Sequence, residues 1–205
     1  MQGNVTLTKA LNITYPCTID LNGYTIENKT AGSYSGLDDA GDECIVFFVS
    51  GNDAHLTLNA TNGGDVKATG DGVKSNYNVA VWVANGAKAT INGGNFSNSA
   101  DTEGDGCDLI YGRDGVEIFI NGGKFTPAVR RSTLGKNQEN NNNEGVYACL
   151  NCKDNTDVIY VSGGDFYQFG AVEAGLVGKD EVKTVEGYSW STTPDANGYY
   201  SVNRD

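Results

Sequence analysis

The amino-acid sequence predicts an all-β chain, folded as a single-stranded right-handed parallel β-helix (a β-solenoid) of about six coils with a C-terminal β-hairpin cap. Three observations predict this fold. The composition favours strands and turns, with 28 Gly and only one Met in 205 residues. One strand-and-turn phrase recurs along the chain. Within the strands, apolar and polar residues alternate, as in a strand with one buried face.

The recurring phrase is an apolar strand, then Asn-Gly-Gly, then any residue, then Phe. Clear copies are Ile91–Phe96, Ile120–Phe125 and Val161–Phe166, and degenerate copies are Leu21–Tyr24 and Thr61–Val66. A further strand with a polar turn precedes each later copy, so one unit holds three short strands. Such strands are too short for independent sheets, but stacked units join them into long parallel sheets. Parallel crossovers are right-handed by default.

Stacking of the units predicts two columns of like residues. The Phe residues that follow the glycines form an internal aromatic stack of Phe96, Phe125 and Phe166. Asn tolerates the left-handed backbone of a tight bend, and its amide can bond the Asn of the next coil. We therefore expect an amide ladder inside the wall, formed by Asn22, Asn62, Asn92, Asn121 and, at its end, Ser162.

The alternation within single strands assigns faces to further residues. The valines of Val79–Val83 are expected to share one face, which leaves Trp82 out of phase and facing outward, as Phe119 does in its own strand. Along the chain, residues 1–181 are predicted to form the β-helix. Residues 182–205 are predicted to form the capping hairpin of the same structural unit, covering the edge of the last coil.

The charge and the cysteines limit the function classes. A net charge of −12 repels phosphate, which excludes nucleic acid as a partner. No stretch approaches the ~20 apolar residues of a membrane helix, so no membrane insertion is expected. The N-terminus has no leader-like segment, so we expect a chain used without Sec export or a fragment of a longer one.

Five Cys, an odd number, indicate free thiols rather than a disulfide framework, and no cofactor is expected.

Long polar segments follow the third strand of several coils and are predicted to emerge on one side of the rod. The candidate partner-contact residues lie in two of them: Tyr34, Asp38 and Asp39 in residues 28–43, and Arg130 and Arg131 in residues 126–145.

A third segment, residues 97–108, holds spaced carboxylates. Asp101, Glu103 and Asp105 precede a glycine, as the first ligands of a Ca²⁺ loop do, but the distal bidentate Glu is absent. The segment is therefore either a weak Ca²⁺ site or a solvated acidic loop.

The repeated INGGxF, the opening VTLTKALNITYPCTIDLNGYTI and the closing EGYSW and GYYSV resemble β-helix proteins of the pectate-lyase-like superfamily. The resemblance is strongest to the non-enzymatic kind found in gut bacteria and their phages. It implies the fold over nearly the whole chain, but the fold alone does not imply a function.

The catalytic patterns of the enzymatic relatives are mostly missing. Asn155-Thr156-Asp157 and Asp38-Asp39 occur in reverse order, and the GHG and RIK patterns are absent. Arg113 and Asp114 are the nearest approach to a catalytic pair and are interpreted as an ion pair in a turn. We therefore assign no catalytic or cofactor-binding residue and expect that the chain is not an enzyme.

These observations favour a structural protein of a bacteriophage virion, as a head decoration, head fibre or tail component. Its expected partners are other virion proteins or itself, as a homotrimer, and its loop side is expected to bind a host-surface glycan. A bacterial surface adhesin or extracellular carbohydrate-binding module is the alternative. A polysaccharide lyase or hydrolase is the least favoured class.

Overall fold

The computed structural model describes residues 1–30, 43–70, 77–99, 108–128, 149–153, 155–172, 174 and 181–205. Within these residues the chain forms nineteen β-strands, arranged in three sheets whose strands are mostly parallel. The prediction of an all-β chain with mostly parallel sheets is confirmed.

The strands are grouped by sheet as follows, in spatial order. Sheet 1 contains β1 (Val5–Leu7), β4 (Thr25–Asn28), β7 (Asp65–Ala68), β10 (Asn95–Asn98), β13 (Lys124–Thr126), β16 (Gly164–Tyr167), β19 (Tyr199–Arg204) and β18 (Tyr188–Trp190). Sheet 2 contains β14 (Leu150–Cys152), β11 (Ile110–Arg113), β8 (Tyr77–Ala84), β5 (Glu43–Ser50) and β2 (Leu11–Ile13). Sheet 3 contains β17 (Val182–Thr184), β15 (Val158–Val161), β12 (Glu117–Ile120), β9 (Lys88–Ile91), β6 (His55–Asn59) and β3 (Cys17–Asp20).

The chain passes through the sheets in a fixed order, from sheet 2 to sheet 3 to sheet 1, and then returns to sheet 2. We call each such set of three strands a rung. Rung 1 is β2-β3-β4, rung 2 is β5-β6-β7, rung 3 is β8-β9-β10, rung 4 is β11-β12-β13 and rung 5 is β14-β15-β16. Each strand of rungs 1 to 4 pairs in parallel with its counterpart in the next rung. This arrangement is consistent with a β-solenoid.

The core lies between the three sheets, and buried and outward-facing residues alternate along the strands of sheet 3. Leu56 and Leu58 of rung 2 are fully buried, and so are Ile118 and Ile120 of rung 4, while the residues between them face outward. The side chains of Cys44, Cys149 and Cys152 are also buried. Burial of apolar surface at every rung is the main favourable term that holds such stacked short strands together.

Sheet 1 contributes the aromatic column of the core. The ring centroids of Phe96 and Phe125 are 4.9 Å apart and those of Phe125 and Phe166 are 4.8 Å apart, with nearly parallel planes. All three side chains are fully buried. Ile26 and Val66 occupy the equivalent positions in rungs 1 and 2. The column is therefore aromatic in rungs 3 to 5 and aliphatic in rungs 1 and 2.

The face assignment in β8 is partly wrong. Val81 and Val83 face the core together with Ala80, whereas Val79 lies on the outer face beside Trp82. Two successive residues point inward because the N–H groups of Ala80 and Val81 both donate to Leu109 O, which breaks the strict alternation. Trp82 does lie on the outer face, but it is only 4% exposed.

The last strands change the pairing direction. β17 still pairs in parallel with β15, so the predicted hairpin segment begins with a strand of sheet 3. The antiparallel pair is β18 with β19, and β19 also pairs antiparallel with β16. Trp190 of β18 packs 5.0 Å from Phe166, centroid to centroid, at the end of the aromatic column.

Candidate functional site

The corner that joins sheet 3 to sheet 1 is built from the Asn-Gly-Gly phrase. In rungs 3 to 5 the second glycine has a positive φ: 107° at Gly94, 121° at Gly123 and 115° at Gly164. Only Gly adopts these values without strain. Among the ladder residues, Asn22 alone has a positive φ. The expected role of Asn in the bend is thus wrong for the later rungs, where the glycine makes the turn.

The ladder residues lie along this corner. The Asn121 amide donates to Asn92 Oδ1 over 2.8 Å, and the Ser162 hydroxyl donates to Asn121 Oδ1 over 2.9 Å. The Asn92 amide donates to Asn59 Oδ1 over 2.8 Å. The sequence had predicted Asn62 as its partner, and that prediction is wrong. Asn92 and Asn121 are exposed and Asn59 is half-buried, so this ladder is on the outer surface and not inside the wall.

The break in the predicted ladder follows from chain length. Five residues lie between Asn59 and Asp65, whereas two lie between Asn92 and Asn95, so the corner of rung 2 is longer. Register places Asn59, at the end of β6, beside Asn92. Asn62 lies further along the longer corner, and its amide donates to Asn22 Oδ1 over 2.6 Å. Rungs 1 and 2 therefore hold a separate amide pair.

A polar groove of about 530 Å³ runs along the corner of rungs 3 to 5. Its lining residues are Gly93, Gly94, Asn95, Gly123, Lys124, Gly164, Asp165, Val202 and Asn203. The glycines form its floor, and two of them leave little room for a side chain: a Cβ on Gly123 would lie 3.1 Å from Gly94 O, and one on Gly164 would lie 3.1 Å from Gly123 O.

One side of the groove is a column of three polar side chains in register, Asn95, Lys124 and Asp165. Asn95 donates to Asp65 Oδ1 over 2.9 Å, and Asp165 accepts from the Ser201 hydroxyl. Lys124 Nζ lies 4.2 Å from the centroid of the Tyr199 ring, which fixes its position by a cation–π contact. The column thus presents amide, ammonium and carboxylate groups at successive rungs.

Hydrogen bonds control the charge of the carboxylates near the corner. Burial raises the pKa of Asp65, but hydrogen bonds from Asn95 and Lys67 outweigh it and leave the pKa below its ordinary value. The Thr61 hydroxyl holds the pKa of Asp20 below its ordinary value as well. Both carboxylates are therefore ionised near neutral pH.

No family model, curated protein or solved structure matches the chain. The resemblance to the pectate-lyase-like superfamily consequently rests on the repeated phrases and on the sheet arrangement alone.

Several predicted site residues lie outside the described residues. These are the candidate contact residues Tyr34, Asp38, Asp39, Arg130 and Arg131, and the weak Ca²⁺ candidates Asp101, Glu103 and Asp105.

Among the described residues, no three His, Cys, Asp or Glu side chains come close enough to hold a metal ion. No helix in the same residues has the length and apolar character that a membrane span needs.

The sequence analysis missed the residues that make the groove. Asn95, Lys124 and Asp165 occupy the variable position between Gly-Gly and Phe, which the repeat treats as any residue. Their shared position was the available signal, because equivalent positions of a repeat stack along the axis. Tyr199 and Asn203 come from the antiparallel strand β19, and no repeat marks them.

Proposed function

We propose that the chain is a non-enzymatic structural component of a bacteriophage virion that binds a neutral host-surface glycan along the glycine-floored groove. We further propose a right-handed β-helix of about six coils, counting β1 and β17 as parts of incomplete coils. In this proposal the β18–β19 pair caps the rod, and the chain is related to the non-enzymatic members of the pectate-lyase-like superfamily.

The observation that carries the proposal is the groove itself. Like positions recur at ~4.8 Å from rung to rung, which is about the length of one pyranose ring. An extended peptide repeats its side chains on one face at ~6.6 Å and would lose register with the rungs. Asn95 and Lys124 supply donors, and Asp165 supplies an acceptor, as sugar hydroxyl groups require.

The overall charge favours a neutral glycan over an acidic one. The chain carries a net charge of −12, which repels polyanions, and a single Lys lines the groove. A shallow polar groove on a rigid floor also binds without ordering a loop, which lowers the entropic cost of binding.

Three of the described carboxylates are unsuited to general-acid catalysis. A general acid needs a raised pKa, whereas the pKa of Asp20, Asp65 and Asp195 is held below its ordinary value by hydrogen bonds. Asp157 accepts hydrogen bonds from the N–H groups of Gly115 and Val116 and so stabilises the turn between β11 and β12.

Binding of the purified chain to a panel of neutral and acidic polysaccharides tests the groove. Lys124→Ala and Asp165→Ala are expected to weaken binding to a neutral polysaccharide roughly tenfold each, while Lys67→Ala, outside the groove, leaves it unchanged. Release of reducing ends or unsaturated products from any polysaccharide would contradict the non-enzymatic assignment, and equal binding by all three variants would contradict the groove.

Association with phage particles tests the virion assignment. Antibody labelling in electron micrographs and mass spectrometry of purified particles are expected to detect the chain. Its absence from particles, together with its presence on bacterial surfaces, would favour the surface adhesin, which could use the same groove.

A further inference from the structure

The outer surface of sheet 3 carries an unusually regular column of side chains. Its members are in register at every rung: Thr18, Thr57, Thr90, Phe119, Tyr160 and Lys183. Their neighbours in each strand face the core, so this column faces outward. We call it the outer column.

The outer column changes in size halfway along the sheet. The first three rungs present Thr, which is short, and rungs 4 and 5 present Phe119 and Tyr160. These two rings stack on each other at 5.3 Å with an interplanar angle of 17°, and both are half-buried. The surface is therefore low at one end of the sheet and raised at the other.

The charges on this surface are balanced and ordered. Lys88 of β9 and Glu117 of β12 occupy neighbouring positions beside the outer column and form an ion pair with both side chains exposed. Asp20 lies at one end of the sheet, and Lys183 lies at the other. Two acidic and two basic side chains leave this surface neutral, although the whole chain carries −12.

We infer that the outer surface of sheet 3 pairs with the same surface of a second copy of this chain, about a two-fold axis that runs between β9 and β12, parallel to the strands. The inference goes beyond the proposed function. The axis reverses the order of the rungs, so Thr90 and Thr57 receive Phe119 and Tyr160 of the second copy. The raised half of each surface fits the low half of the other.

The same operation pairs opposite charges. Lys88 lies opposite Glu117 of the second copy, and Glu117 lies opposite Lys88, which closes a network of four alternating charges across the axis. Neutrality matters because two chains of −12 repel each other wherever acidic surfaces meet. A single face that meets itself gives a closed dimer, not the homotrimer expected from the sequence, because a three-fold ring needs two different faces.

Sedimentation equilibrium of the full chain tests the inference. The wild-type chain is expected to be a dimer, and Phe119→Ala is expected to shift it to a monomer with unchanged far-UV circular dichroism. A wild-type chain that stays monomeric, or that forms trimers, would overturn the proposal.

A charge exchange tests the predicted geometry. Lys88→Glu and Glu117→Lys are each expected to raise the dimer dissociation constant roughly tenfold or more, because each places like charges across the axis. The double variant Lys88→Glu/Glu117→Lys is expected to restore wild-type dimerisation. Lys67→Glu, the same charge change on sheet 1, serves as the matched control and leaves the dimer intact. If the single variants dimerise as the wild type does, or if the double variant fails to recover, the proposed pairing is wrong.

Discussion

The corner between sheets 3 and 1 is built in two ways along the same rod. In rungs 3 to 5 it is short, and its side chains continue a ladder that starts at Asn59 of rung 2 and ends at Ser162. In rungs 1 and 2 it is longer, and charged Asp20 takes the ladder position beside Asn59, where it accepts from the backbone and hydroxyl of Thr61. Similar sequence phrases thus produce different contacts when the number of residues in the corner differs.

The largest difference between the two regions is expected in the core beneath the corner. Phe125→Ala, in the aromatic part of the column, is expected to lower the free energy of unfolding by about 3–5 kcal/mol, because it leaves a cavity between two rings. Val66→Ala, in the aliphatic part, should cost about 2 kcal/mol. Chemical denaturation of both variants measures the difference, and a Val66→Ala loss as large as that of Phe125→Ala would remove the distinction.

The two glycine positions of the corner phrase should also differ. The second position is constrained in both regions, with a φ of 121° at Gly123 and 128° at its counterpart Gly64. Gly123→Ala is expected to cost about 2–3 kcal/mol, since the added Cβ would also lie 3.1 Å from Gly94 O. Gly63, at the first position, has a φ of 77° and open space around its Cβ position, so Gly63→Ala should cost about 1 kcal/mol. Thermal unfolding of the pair provides the test, and equal losses would show that close approach of the rungs does not constrain the second position.

The ladder amides make a smaller contribution because they are exposed. Asn121→Ala removes two hydrogen bonds and is expected to cost about 1 kcal/mol, whereas Asn62→Ala removes one and should cost about half as much. The same denaturation experiment distinguishes them. A larger loss for Asn62→Ala would mean that the continuous ladder is not the stronger of the two arrangements.

Acid should affect the two regions differently. The folded pKa of Asp20 and of Asp65 lies below the ordinary value of 3.8, so their stabilising effect is complete above that value and is lost as pH falls through the folded pKa. The amide ladder of rungs 3 to 5 does not titrate. Hydrogen exchange measured as the pH is lowered below 3.8 should therefore show earlier loss of protection in β3, β4 and β7 than in β12 and β13. Uniform loss would contradict this difference.

Sequence repeats predicted the features that depend on equivalent spacing. Phe96, Phe125 and Phe166 follow the same phrase at the same distance from their strands, and hydrogen-bond register places them in one column. The ladder prediction is wrong at Asn62 because the corner of rung 2 has three more residues than the corner of rung 3, although the two phrases look alike. The pairing of β6 with β9 decides which Asn lies beside Asn92, and it places Asn59 there.

Other features depend on contacts that a single strand does not encode. Val79 was assigned to the wrong face because the doubled inward pair Ala80–Val81 is set by pairing with Leu109 of the next rung. The groove was missed because its polar column occupies the variable position of the repeat, and its end is closed by Asn203 from β19.

The most direct test of the stacked-rung account is the proximity of the phenylalanine rings in solution. In a sample with selectively labelled Phe, the account predicts nuclear Overhauser effects between the rings of Phe96 and Phe125 and between those of Phe125 and Phe166, at separations near 4.9 and 4.8 Å. Absence of both contacts in a folded sample, or a direct contact between Phe96 and Phe166, would contradict it.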